Sequence, residues 1–162
     1  MASLEERVAA LEARVFAEPE PTPEPEPSGS VFWALERLKE LAPGPGAVLF
    51  TGTVDLPTAE HYEWQLGAPV DGLLDEDWTD FAATLTALAH PMRLRLLRVI
   101  LGGVHASTDL ADTEGLGTSG QLYHHLRQLT AAGWLRTTAR GRYTVPPERV
   151  VPLMVILAAA RR

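Results

Sequence analysis

The segment TSGQLYHHLRQLTAAGWL, residues 118–135, contains a helix start, a buried stripe, a polar face and a helix stop in succession. Thr118 followed three residues later by Gln121 is a capping box, because each side chain reaches a backbone N–H that the first helical turn leaves without a partner. Leu122, Leu126 and Leu129 recur at helical spacing and mark one apolar face. Gly133 supplies the left-handed residue that closes such a helix. At 100° per residue Gly120, Tyr123, His124 and Arg127 fall on the far side, where packing within the domain does not call for an aromatic, an imidazole and a guanidinium together.

Three further elements precede this helix. Phe81, Leu85 and Leu88 define a first helical face ending at His90, since the residue before a proline is pushed out of the helical region. Pro91 suits the first position of a second helix, with Leu94, Leu97 and Leu101 facing inward, Arg93, Arg95 and Arg98 left in water, and Gly102 and Gly103 at its end. Ser107 is expected to cap a short third helix containing Leu110 and Ala111, closed by the turn Gly115, Leu116, Gly117. Downstream, 134–138 and 142–145 alternate as strands about the turn Ala139, Arg140, Gly141, which sets Arg136, Arg140 and Arg142 near a hairpin tip. Helix, turn, helix and basic hairpin is the layout of a winged helix-turn-helix.

The successive segments AHPMRLRLLRVI (89–100), STDLADTEGLG (107–117), TSGQLYHHLRQLTAAGWL (118–135) and RGRYTV (140–145) resemble ArsR-type winged-helix transcriptional regulators of bacteria over about residues 78–160. The resemblance implies that the fourth helix enters the DNA major groove, that the wing touches backbone or minor groove, and that terminal helices pair two subunits. By position it implies groove contacts from Thr118, Ser119, Gln121, Tyr123, His124 and Arg127, and wing contacts from Arg140 and Arg142. The chain departs from the family in two respects. The turn from Gly115 to Thr118 is one residue longer than usual, which leaves the exact groove-facing register open. Metal-sensing members use Cys pairs, or His and carboxylates on the last helix, and this chain has no Cys and no His there.

A major groove admits one helix, whose polar side chains reach base edges while Arg and the capped N-terminus meet phosphates. Arg127 would serve equally in a solvated face paired with a neighbouring acid. His124 is expected to face the duplex and His125 to sit at the edge of the core, because adjacent residues on a helix diverge by about 100°.

Composition frames these readings. The chain has 162 residues, a formal net charge of −7, 46% apolar and 22% charged residues, which is the profile of a globular protein. Residues 1–77 carry a net −12 and residues 78–162 a net +5, so an acidic region is joined to a basic one suited to a polyanion. Zero Cys removes disulfides and thiolate chemistry. No signal peptide and no membrane-length apolar run is read, so a cytoplasmic protein is expected. No phosphate loop, nucleophile elbow or paired carboxylates occur, so neither catalysis, nor a cofactor, nor a metal is expected.

Ahead of the basic half, Leu4, Val8, Leu11 and Val15 form two heptads of a coiled-coil seam over residues 1–17, too short to hold alone, which either pairs subunits or docks on its own domain. The Glu/Pro alternation of 18–30 is an extended acidic linker. Residues 31–74 are expected as an accessory region, a helix with the stripe Val31, Ala34, Leu35, Leu38 and Leu41 followed by a β-hairpin. Its Trp33, Tyr62 and Trp64 either line a small-molecule pocket or fill a small core. Residues 75–162 complete the winged helix-turn-helix domain. In its last segment Pro152 is expected to interrupt a helix apolar on nearly all sides, covered by a partner subunit or by the chain's own hairpin.

The whole is thus expected to be mainly α with small β (α+β): a sequence-specific double-stranded DNA-binding regulator, a repressor, acting as a homodimer. The competing readings are a winged-helix protein-interaction module without DNA binding, and a regulator responding to an unknown small-molecule effector through the accessory region.

Overall fold

A computed structural model describes residues 31–42 and 44–161. The expected coil over 1–17 and linker over 18–30 lie outside the described residues. The chain divides into two compact units, Met1–Leu41 and Ala42–Arg162. In the first, α1 (Trp33–Leu41) forms at the expected place, with Arg37 and Glu40 paired at 2.6 Å and no residue buried. The second contains everything else. The helix and the hairpin read together as region 31–74 therefore fall in different units.

The second unit opens with β1 (Ala47–Asp55) and β2 (His61–Pro69), antiparallel and in register from Ala47 opposite Pro69 to Asp55 opposite His61. Phe50, Gly52 and Val54 share the more covered face, as the alternation requires. A short α2 (Val70–Asp75) and a 3-10 turn (Trp78–Phe81) lead into α3 (Ala82–Leu88). Asp77 caps the 3-10 turn by accepting from the Thr79 backbone N–H at 2.9 Å, which accounts for this carboxylate and holds it below its usual pKa range.

Next come α4 (Pro91–Leu101), α5 (Ser107–Asp112), α6 (Ser119–Ala131), β3 (Arg136–Ala139), β4 (Arg142–Thr144) and α7 (Pro147–Ala159). Their core is one cluster in which Leu96, Leu97 and Ile100 of α4 meet Leu110 of α5, Leu122, Leu126 and Leu129 of α6, and Val150 and Leu153 of α7. Trp134 closes it, buried, with its indole N–H donating to the Thr84 carbonyl at 2.9 Å and the Arg149 guanidinium 5.1 Å from the ring centre. Trp134 and Leu135 are therefore core residues ahead of β3 rather than strand residues.

Three expectations about individual side chains change. On α3 the buried residues are Ala87 and Leu88, while Phe81 and Leu85 remain 41% and 52% exposed. On α4 Arg93 is buried, not wet, because it shares the inward face with Leu97 and Ile100 at positions i+4 and i+7. At the C-terminus α7 runs unbroken through Pro152. That proline forfeits one backbone bond, to the carbonyl of the exposed Glu148, which solvent can satisfy. The hairpin of the same chain covers α7. Gly52 makes the contact close, since a Cβ there would lie 2.7 Å from Val151 Cγ1.

Candidate nucleic-acid interface

The capping box at the start of α6 is formed in full. The Thr118 backbone N–H donates to Gln121 Oε1 at 3.1 Å and the Gln121 N–H to Thr118 Oγ1 at 3.4 Å. Thr118 and Gln121 thus fix the helix start, and the Gln121 carboxamide keeps its NH2 as an outward donor. Gly133, at φ +74°, ends the segment where expected.

With Leu122, Leu126 and Leu129 buried beneath, Ser119, Gly120, Tyr123, His124 and Arg127 all stand on the exposed side of α6. Arg140 and Arg142, at the tip of the β3–β4 hairpin, are exposed too. Among the described residues none of Arg127, Arg140 and Arg142 forms an ion pair; those present join Arg37 to Glu40 and His61 to Asp55 and Glu63. The expectation of a solvated face in which Arg127 pairs with a nearby acid is thus not met.

Ser107 connects helix and wing. It is the first residue of α5 and the cap position is Ala106, so its hydroxyl is free for another use. Nearly buried, it accepts from the Tyr123 hydroxyl at 3.3 Å, and its backbone N–H donates to the Gly141 carbonyl at 2.7 Å. Ala106 also bridges to Arg142 as an isolated antiparallel pair. Tyr123 on α6 and the arginines flanking Gly141 are in this way held to one point. Reading Ser107 as a cap hid this link, and no sequence signal distinguishes the two uses of a serine.

A second set of contacts holds α6 from behind. His90 Nδ1 accepts from the Met92 N–H at 3.1 Å and so caps α4. Arg93 donates through Nε to the Ala87 carbonyl at 2.5 Å, through Nη2 to the Thr86 carbonyl at 2.7 Å, and through Nη1 to Gln128 Oε1 on α6 at 2.5 Å. Two of those acceptors are carbonyls near the C-terminal, negative end of the α3 dipole, which suits a buried guanidinium. Arg95 Nη2 donates to the Glu114 carbonyl at 2.9 Å in the turn before α6, and packs so closely that a Cβ on Gly115 (φ +77°) would lie 2.6 Å from Nη1.

His125 faces inward, as expected of a core-edge residue. Its ring lies 4.6 Å from that of His90 and 5.5 Å from that of His124. Its Nδ1 is buried without a hydrogen-bond partner among the described residues. Burial, then the nearby His90, Arg93 and His124, push its pKa below the usual imidazole value.

Residues 88–138 match the family model described as a helix-turn-helix domain. Over this span the chain carries a helix-turn-helix domain of the DNA-binding kind. The match runs from the end of α3 into β3, and so includes the whole of α4, α5 and α6. A search of curated proteins and a search of solved structures gave no match to this chain.

Outside the helix-turn-helix domain, two of the three aromatics, Tyr62 and Trp64, stand on β2. Trp33 belongs to the other compact unit. Tyr62 is half-buried against the core and donates to Glu60 at 3.1 Å. Trp64, two residues along the same face, borders an open cleft with Phe50, Leu66 and Arg136. Among the described residues no group of three or more His, Asp or Glu could hold a metal ion, and no helix is long and apolar enough to cross a membrane.

Proposed function

We propose that this protein is a cytoplasmic, ArsR-like winged-helix repressor that binds double-stranded DNA sequence-specifically as a homodimer and performs no catalysis. The observation that carries this reading is the outward face of α6, with its capped N-terminus and its unpaired arginine, tied through Ser107 to an arginine-tipped hairpin. Ser119, Gln121, Tyr123 and His124 have the reach and polarity to read base edges in a major groove. Thr118 holds the helix N-terminus toward a phosphate, and Arg127, Arg140 and Arg142 supply the charge that fixes register on the backbone.

Dimerisation is supported by the apolar strip Trp78, Phe81 and Leu85, which stand 63%, 41% and 52% exposed at spacings of three and four residues. Such a strip calls for a covering surface, and a two-fold dimer would then present two α6 helices to a palindromic site.

Recovery and sequencing of genomic fragments bound by the purified protein tests the proposal. Retained fragments are expected to share an inverted repeat whose half-sites are separated by whole helical turns. A dimer that retains no fragment even at low salt would instead be a protein-interaction module.

A further inference from the structure

One groove on the second unit lies apart from the outward face of α6, and its lining mixes two chemistries. It has a volume of about 1140 Å3 and runs between α4, α7 and the loop at Leu56 and Pro57. Most of its wall is aliphatic, from residues such as Leu94, Met154 and Leu157, and no carboxylate lines it. Two guanidiniums do, Arg95 and Arg98. Arg98 has no hydrogen-bond or ion-pair partner among the described residues, whereas Arg95 is also the residue whose Nη2 holds the Glu114 carbonyl in the turn before α6.

We propose that this groove binds an organic anion with an apolar tail, its carboxylate on Arg98 and Arg95, and that Arg95 relays occupancy to the helix-turn-helix turn. Charge complementarity selects the occupant. An aliphatic wall favours a hydrocarbon body, and an unpaired Arg98 guanidinium beside Arg95, in a lining without a carboxylate, favours a carboxylate, which guanidiniums bind by charge-assisted hydrogen bonds. The relay follows from Arg95 having one guanidinium and two uses. A carboxylate in the groove competes with the Glu114 carbonyl, and the state in which Arg95 turns toward the ligand leaves the Gly115 turn without its clamp. A ligand that binds this state better shifts the population toward it, and DNA affinity falls by the same coupling. The relay rests on the DNA-binding reading above; the groove itself does not.

Calorimetric titration of the full chain with octanoate, and with octanol as its uncharged counterpart, separates the two. Octanoate is expected to bind, octanol to bind about tenfold more weakly, and Arg98→Gln to weaken octanoate about tenfold while leaving the helical circular dichroism unchanged. Absence of octanoate binding, or equal binding by Arg98→Gln, overturns the groove assignment. If octanoate fails and Leu157→Glu converts a dimer into a monomer in sedimentation, a second copy occupies the groove and the proposal falls. For the relay, octanoate is expected to lower affinity for a recovered DNA fragment at least about fivefold in the natural sequence and to lose that effect in Arg95→Gln. Octanoate binding without a change in DNA affinity overturns the relay alone, and a chain that binds octanoate but no DNA overturns the DNA-binding reading and leaves the groove standing.

Discussion

Arg93 on α4 donates to Gln128 on α6 at 2.5 Å while its other two nitrogens hold the last carbonyls of α3. One buried guanidinium therefore ties three helices together, and the helix offered to DNA is set partly from behind. Replacing it by methionine keeps the volume but leaves those acceptors without a donor. Arg93→Met is expected to lower stability by about 2–4 kcal/mol, read as a reduced urea midpoint at unchanged slope. Lysine is not expected to rescue, because a single ammonium cannot span a fork of three acceptors.

Stability should fall on mild acidification because of His125. Its folded pKa lies below the unfolded value near 6.5, with burial as the largest cause and His90, Arg93 and His124 next. The unfolded chain then binds the proton more readily, so stability holds above pH 6.5 and declines as the pH drops from there through the folded pKa. His125→Phe keeps the ring and removes the proton site. Thermal midpoints between about pH 7.5 and 5, the range over which an imidazole titrates, should show a shallower decline for the variant; parallel curves would refute the assignment.

The hairpin depends on a missing methyl group for its fit to α7. Gly52→Ala places a carbon 2.7 Å from Val151 Cγ1, which two packed elements can relieve only by separating. A loss of about 1–3 kcal/mol is expected by chemical denaturation. The paired change Gly52→Ala with Val151→Ala should recover part of it, as contact between the two sites requires.

Salt dependence distinguishes the arginines. Arg142→Ala is expected to weaken all DNA fragments alike and to lower the slope of log affinity against log salt by about 1, the mark of a lost phosphate contact. Substitution of His124 by Ala should instead act unequally on fragments that differ at one base pair, with a change of about 1–3 kcal/mol at that position. Binding isotherms at several salt concentrations measure both, and a uniform effect of His124→Ala would remove it from base reading.

Much of the arrangement was legible because it rests on local rules. The capping box at Thr118 and Gln121, the leucine stripe of α6, the exposed Tyr123, His124 and Arg127, the hairpin of β1 and β2, and the start of α4 after His90 follow from short-range chemistry and periodicity, and each has its counterpart in the structure. The readings that changed concern residues whose environment is set from outside their own element. Arg93 looked like one of three wet arginines until α3 and α6 surrounded it, and Phe81 and Leu85 looked buried until the core closed on Ala87 and Leu88 instead. Pro152 looked like a break, yet the helix continues where the forfeited bond falls at an exposed residue.

From the amino-acid order alone come the start of α4, both ends of α6 and the polarity of its two faces, since these depend on residues within one or two turns. Only the packed chain settles which arginine is buried, which serine joins helix to wing, and which aliphatic surface stays open as a groove. Those outcomes depend on side chains such as Arg93 and Gln128 that stand far apart along the chain and meet in space. Burial and hydrogen-bond partnership belong to such meetings, and no local pattern encodes them.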